Sequence, residues 1–410
     1  MKKNALVVLV LCALFLFYKY IAQLFPTLIG TELMQVRGYD AVMLAVMASS
    51  YYYSYSFMQL VSGVIIDRYS VRTPMFCAIL MISLMTALFS YTDNFYLMCL
   101  SRALMGVGAS FATLIYMKCA AHYTTPRAFG IISSFLATAT MLGAACGSAP
   151  VAALFQKLGW HAGLYCVAAL GLVMALAVLI FQRADTGTDE KKYRYNRSDN
   201  FKEVICNSDN WWLLIYSGLT FSPVAVMGGL WGTPFIMAKY SMTAADASFF
   251  LSVMFVGLAV GAPFWAFLSA KTGQRKKWML LSNILSMAVL TAIIYGDCGA
   301  FAAQILFFIF GFSVGCFMLS FELCREINSI AVMALSVAFI NSGEGLVSAV
   351  LEPFIGHLLD VSRVGANFSP ENYQAALCVL PCCFVLSSAA LFFINRRREA
   401  VVELTGYAGA

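Results

Sequence analysis

Twelve stretches of predominantly apolar residues, separated by short polar joints, run almost end to end along this chain. The hydrocarbon core of a bilayer is about 30 Å thick, so a helix needs about 20 such residues to cross it. In lipid the backbone must also satisfy its own hydrogen bonds, which a helix does. The pattern predicts an all-α membrane protein with twelve transmembrane helices. It excludes a water-soluble domain, because 61% of the 410 residues are hydrophobic and only 11% charged, against roughly 25% charged in soluble proteins. The predicted spans, 1 to 12 in order, are 4–26, 40–66, 73–91, 95–119, 128–155, 161–181, 211–236, 245–270, 277–295, 299–321, 330–359 and 373–394.

Charge is sorted along this pattern. Placing the joints alternately on two sides puts 20 of the 26 Lys and Arg on the side of both termini and 4 on the other, with Lys19 and Arg102 inside spans. By the positive-inside rule the first side is cytoplasmic. The net charge of +6 therefore reflects topology and predicts no nucleic-acid surface. Met1-Lys2-Lys3 and the apolar run to Phe17 resemble a secretory leader, but no small-x-small cleavage site follows and Leu11-Cys12 is a poor lipobox, so the segment reads as span 1. A bacterial inner (plasma) membrane is the expected location, since no organellar presequence is present. The thirteen cysteines show no paired metal spacing and mostly lie in apolar runs, which reads as packing. His122, His161 and His357 fall on three separate joints, with no nucleophile–base pair or phosphate loop. Neither an enzyme nor a bound cofactor is expected.

The first strongly charged joint, Gly63-Val-Ile-Ile-Asp67-Arg68-Tyr-Ser70-Val-Arg72-Thr73, returns in weaker form 203 residues later as Ala266-Phe-Leu-Ser-Ala270-Lys271-Thr-Gly273-Gln-Arg275-Lys276. The chain thus reads as two copies of one unit, 1–183 and 211–395, with a polar cytoplasmic linker 184–210 between them and a tail 396–410. Residues 201–210 are expected to form a short surface helix.

Gly-x-x-x-Asp-Arg-x-(small)-x-Arg resembles the loop between helices 2 and 3 of the major facilitator superfamily of transporters, and the degraded copy resembles their loop between helices 8 and 9. The resemblance covers nearly the whole chain. It implies the major facilitator fold, twelve helices in two pseudo-repeated six-helix bundles, and a secondary transporter working by alternating access. It also implies that Asp67, Arg68 and Arg72 belong to a cytoplasmic gate, the alternative being a plain charged turn. Leu100-Ser-Arg102-Ala-Leu-Met-Gly106-Val-Gly108-Ala109 resembles the family's helix 4 motif. Gly143-Ala-Ala-Cys-Gly147-Ser-Ala-Pro150 is similar only in part to the helix 5 motif of antiporters, lacking its Gly-Pro pair and closing glycines. That departure argues against a drug/proton antiporter.

Polar residues inside spans carry the functional reading. A Lys near a helix centre costs about 2.5–3.5 kcal/mol on insertion scales, so Lys19 either snorkels to the headgroups or faces a cavity with Gln23, which shares its helix face. Tyr52 and Gln59 lie on a polar stripe of span 2, although the run Tyr51 to Tyr55 also fits an interfacial aromatic belt. Arg102 and Tyr116 share a face of span 4, where the arginine needs a counter-charge, a wet cavity or backbone carbonyls. Trp231 sits in span 7, broken by Pro223, Gly228-Gly229, Gly232 and Pro234 and therefore read as a moving, cavity-lining segment. In span 11, Asn341, Glu344, Ser348 and Glu352 share a face. Glu344 lies about 21 Å up the helix, near the depth of Lys19 and Arg102, while Glu352 and His357 lie nearer the rim.

Burying such charges unpaired costs several kcal/mol, so they pair, bind solute or carry protons. The expectation is a carrier in which Lys19, Gln23, Tyr52, Gln59, Arg102, Tyr116, Trp231 and Asn341 contact a small anionic or zwitterionic organic solute, and Glu344 takes the proton coupled to uptake (symport). The partners are the solute, protons and the lipid bilayer, with a monomer as the working unit. An exporter or proton antiporter, and a non-transporting membrane receptor, are the alternatives. Amino acids, organic acids, sugar phosphates and siderophore-like carboxylates all fit as solutes.

Overall fold

The computed structural model describes residues 3–68, 70–123, 126–182, 197–328, 332–363 and 368–394. Span 1 is α1 (Lys3–Leu24) followed by α2 (Pro26–Arg37), spans 2 and 3 are α3 (Ala41–Arg68) and α4 (Arg72–Tyr91), and span 4 is α5 (Phe95–Ala109) with α6 (Phe111–Tyr123). Spans 5 and 6 are α7 (Pro126–Leu158) and α8 (Trp160–Phe181). A short α9 (Arg197–Cys206) precedes span 7, which is α10 (Ser208–Val226), a π-helical turn (Met227–Trp231) and α11 (Gly232–Tyr240). Spans 8 and 9 are α12 (Ala244–Thr272) and α13 (Arg275–Tyr295); span 10 is α14 (Ala300–Val314), a 3-10 turn (Gly315–Met318) and α15 (Leu319–Ile327). Span 11 is α16 (Met333–Ser362), and span 12 is α17 (Pro370–Leu377) with α18 (Val379–Phe393). The expected short helix over 201–210 forms ten residues, but earlier, as α9.

Eleven of the spans are apolar and long enough to cross a bilayer. The twelfth, α3, has 28 residues, about 42 Å at 1.5 Å per residue. Its Ser49, Ser56, Gln59 and Ser62 lower its hydropathy, and all four are buried, because α3 packs along α5 of its own bundle and α16 of the other. The sequence reading stops span 1 at Pro26. Instead the helix restarts there, since a proline at the first helical position forfeits no hydrogen bond, and continues to Arg37, where Gly38 closes it at φ 67°.

Within the first bundle α4 packs on α8, α3 on α5 and α1 on α7; within the second, α12 packs on α14, α10 on α16 and α18, and α13 on α14 and α18. The two bundles meet chiefly through α3 on α16 and α7 on α12. In lipid such contacts depend on close backbone approach and interhelical hydrogen bonds. Ser83 Oγ donates to the Ala168 carbonyl at 2.6 Å and Asn283 Nδ2 to Ser387 Oγ at 3.0 Å. Both halves build one glycine joint in the same way: Gly106 lies against the Tyr51 carbonyl and Gly311 against the Met254 carbonyl, and a Cβ on either would collide with that backbone. Gly106→Ala is therefore expected to cost about 1–3 kcal/mol of stability, read as a lower melting temperature in detergent.

The helix breaks also come in related pairs. α1 ends just before Phe25 and the π turn spans 227–231, while span 4 breaks at Ser110 and span 10 at Gly315. The breaks of spans 1 and 7 touch, Thr27 Oγ1 donating to the Leu230 carbonyl at 3.1 Å, and these two residues are 203 positions apart, the spacing of the charged joints.

One end of the molecule collects basic side chains that hold helix ends. Arg72 Nη2 donates to the Leu179 carbonyl at 2.5 Å, Lys118 Nζ donates to the Ile66 carbonyl, and Arg275 pairs with Glu322 at 3.1 Å and with Glu326. This basic end carries the 63–73 joint and its copy; the side chains of Asp67 and Arg68 lie outside the described residues. The opposite, far end carries Arg37, ion-paired to Asp93 at 2.5 Å, and Asp360.

Candidate functional site

Where the bundles meet, α1, α3, α10 and α16 enclose a small cavity. Lys19, Tyr20 and Gln23 come from α1, Tyr51, Tyr52 and Tyr55 from α3, Phe221 from α10, and Asn341, Glu344 and Gly345 from α16. The helical period places Lys19 and Gln23 one turn apart on one face, and Asn341, Glu344 and Gly345 likewise. Lys19 is 3% exposed; its Nζ donates to the Tyr55 hydroxyl at 3.5 Å and lies 5.0 Å from the ring centres of both Tyr20 and Tyr55. Aromatic faces attract a cation but leave ammonium donors unsatisfied. Asn341 Nδ2 donates to the same Tyr55 hydroxyl at 3.3 Å, so this tyrosine ties the two bundles together. Gln23 is held on both sides, donating to the Tyr52 hydroxyl at 3.1 Å and accepting from the Tyr51 hydroxyl at 3.4 Å. Glu344, 8% exposed, accepts from Ser217 Oγ at 2.7 Å.

The cavity measures about 40 Å³. At 10–15 Å³ or so of accessible volume per water molecule, that is room for about three or four waters, whereas pockets for organic ligands measure roughly 300–1,000 Å³. Among the described residues, the bundles touch on both sides of the cavity. At the far end, Asp360 of α16 caps the start of α3, its two carboxylate oxygens accepting from Ala41 N at 3.0 Å and Val42 N at 2.9 Å. Toward the basic end, Leu60 of α3 packs on a cluster of Val204, Leu214, Val332 and Phe339. Between α7 and α12, Ser252 Oγ accepts from Ala149 N at 3.1 Å and donates to the Ala145 carbonyl at 2.7 Å, so the hydroxyl is inserted into one step of the helix ladder. Removing a cap costs about 1 kcal/mol. Asp360→Ala is accordingly expected to loosen the far end, measured as faster modification of a cysteine placed at Thr27 by a membrane-impermeant reagent.

Five of the residues singled out in the sequence thus converge: Lys19, Gln23, Tyr52, Asn341 and Glu344. The remaining ones lie elsewhere. Arg102 is 1% exposed and spans the gap to α1, its Nη1 donating to the Ala22 carbonyl at 2.7 Å and its Nη2 to the Gln23 carbonyl at 3.0 Å, between the rings of Phe25 and Tyr51. Of the three partners open to it, it has taken backbone carbonyls, those orphaned where α1 ends. Trp231 is buried in the π turn and donates to the Glu352 carbonyl at 3.2 Å. Gln59 is buried one turn beyond Tyr55, and Tyr116 is buried on α6, which packs on α1. Arg72 bonds within its own bundle. The sequence reading did not single out Tyr20, Phe221 or Ser217, and it placed Glu352 nearer the rim, whereas that side chain is fully buried. Among the described residues, no group of three or more His, Cys, Asp and Glu could hold a metal ion.

A sequence profile described as the Major Facilitator Superfamily matches residues 7–351. The 4-hydroxybenzoate transporter PcaK of Pseudomonas aeruginosa is 27% identical over 172 residues, 42% of this chain and 38% of that protein. Protein spinster homolog 1 of Xenopus laevis is 30% identical over 198 residues, 45% of this chain and 36% of that protein. The matched stretches therefore span less than half the length of either curated relative. The crystal structure of a bacterial homolog of the human lysosomal transporter Spinster, inward-facing and unoccupied, superposes with a TM-score of 0.80 at 14% identity, covering 96% of this chain and 97% of that one. The nucleoside transporter NupG superposes with a TM-score of 0.75 at 15% identity, covering 96% and 99%. At such identities the likeness is one of fold.

Proposed function

We propose, on the premise that this chain belongs to the major facilitator superfamily, that this multi-pass transporter takes up a small organic anion or zwitterion together with a proton. The observation that carries the reading is the pairing of Lys19, cradled by tyrosine rings, with Glu344 in one buried cavity between the bundles. A solute carboxylate would satisfy the ammonium donors that the rings leave open, and the rings offer an aromatic solute a stacking surface. The curated relative named for 4-hydroxybenzoate, an aromatic carboxylate, makes that class the first to try.

In this scheme residues 1–183 rock against 211–395 about the cavity, with 184–210 as the connector and 396–410 as a tail. Lys19, Gln23, Tyr52 and Asn341 hold the solute. Trp231 and Gln59 reach it only once the bundles part, while Arg102 and Tyr116 set the position of α1. Glu344 exchanges its proton as the solute arrives beside Lys19, because a nearby cation favours the carboxylate and neutralising that cation removes the support. Asp67, Arg68 and Arg72 work the gate at the basic end, which faces the cytoplasm with both termini in an inner membrane, and the monomer is the unit of transport.

The reading is tested by a thermal-shift screen of aromatic and aliphatic carboxylates, followed by uptake into proteoliposomes under an inward proton gradient. Accumulation of a stabilising carboxylate that collapses with the gradient is the expected result. Uptake indifferent to the gradient would remove proton coupling, and accumulation driven only by an outward-directed solute exchange for protons would reverse the direction.

A further inference from the structure

Glu352 lies eight residues beyond Glu344 on one face of α16, about 12 Å along the helix, and outside the solute cavity. Its side chain is 0% exposed, and neither carboxylate oxygen has a hydrogen-bond partner among the described residues. The wall opposite is the π turn of span 7. A Cβ built on Gly229 would stand 3.0 Å from Glu352 Oε1 and 2.7 Å from the Tyr52 hydroxyl, so the turn lies directly against the acid and any larger residue there would push one of the two side chains aside. Trp231 of the same turn clasps the Glu352 carbonyl at 3.2 Å.

The ionisable groups within electrostatic reach are Arg102 of α5 and Tyr52 and Tyr53 of α3. Arg102 spends its two Nη groups on the Ala22 and Gln23 carbonyls, and the Tyr52 hydroxyl accepts from Gln23. The π turn, Met-Gly-Gly-Leu-Trp, brings no titratable group. On α16 itself, Glu344 is two turns away and His357 is exposed. A carboxylate left ionised with no donor at this depth carries a heavy desolvation penalty, which protonation removes.

We infer that Glu352 is a second proton-binding site, filled from the far side, and that its proton is what allows the far end to shut. Closing packs the π turn and α3 over the acid while it holds a proton; opening wets the carboxyl, which then releases the proton to the far-side water. The shut form thus binds one proton more than the open form, and raising the pH favours opening. The inference rests on the alternating-access reading but on neither Glu344 nor the identity of the solute.

The test uses the full-length protein in lipid nanodiscs, in a background lacking its exposed cysteines, with nitroxide labels at Val36 and Val361, which are exposed at the far ends of α2 and α16. In the otherwise unaltered protein, the open fraction measured by pulsed EPR should rise with pH, by up to about tenfold in open-to-shut ratio per pH unit for one linked proton. Glu352→Gln, neutral and of nearly the same shape, should stay shut at every pH, and Glu352→Asp should bring the slope back. Infrared difference spectra supply a second readout: the shut form should show a protonated-carboxyl band that Glu352→Gln lacks. Glu344→Gln should keep both signals while losing solute-driven proton movement, so the failure of one assignment is visible without the other. A wild-type pH slope in Glu352→Gln, or no carboxyl band assignable to Glu352, would overturn the inference.

Discussion

Glu344→Gln is expected to stop proton-driven accumulation while leaving solute exchange running. The substitution keeps the shape of the side chain and its Oε1, so the Ser217 hydroxyl, 2.7 Å away, retains its acceptor and α10 stays joined to α16. What it removes is the one carboxyl group among the described residues that line the cavity. A carrier moving one proton per anion-compensated cycle can support about tenfold accumulation per unit of pH difference, each unit being worth about 1.4 kcal/mol. Without a titrating group the gradient has nothing to act on, and the internal concentration should level at the external one. Counterflow of labelled against unlabelled solute in proteoliposomes is the matching control, because it needs binding and rocking but no net proton transfer. A Glu344→Gln protein that accumulates solute like the wild type would assign the coupling elsewhere.

The second large effect separates two buried cations that look alike in the sequence. Arg102→Met should cut stability, because it withdraws two charge-assisted hydrogen bonds from carbonyls at the broken end of α1. Bonds of this type are worth about 1.5–3 kcal/mol each, and the bared carbonyls add their own desolvation penalty. Lys19→Met should do the opposite: its neighbours are rings and a hydroxyl at 3.5 Å, so the fold loses little. Solute affinity should fall roughly 10- to 100-fold on loss of a contact of about 1.5–3 kcal/mol. Paired measurements of melting temperature and solute-induced thermal shift decide the matter. A stable Arg102→Met protein with weakened solute binding would return the arginine to the solute.

These contrasts show where the sequence is informative. Span number and repeat spacing are legible because apolar length and the 63–73 joint are long-range patterns, and the structure shows twelve spans in two bundles. Helical phase also groups Lys19 with Gln23 and Asn341 with Glu344, and all four line one cavity. Phase does not say what a face meets. Arg102 and Glu352 are both ionisable residues on inward faces; one meets carbonyls where α1 breaks at Phe25, and the other lies against a glycine turn with no hydrogen-bond partner among the described residues. Pro26 and Gly228-Gly229 mark both interruptions in the sequence, but spacing along a single helix does not say what each one meets. Tyr20 and Phe221 escaped notice for a different reason, since aromatic residues are abundant in spans and only convergence marks these two.

The size of the central cavity has a kinetic consequence. A chamber of about 40 Å³ admits no organic molecule, so capture waits for the shut form to open. Observed association rates should therefore level off at high ligand concentration, and apparent affinity should be weaker than intrinsic affinity in proportion to how seldom the receptive form is visited. Loosening the Asp360 cap then makes a protein that looks like a tighter binder, although no side chain touching the cargo has changed.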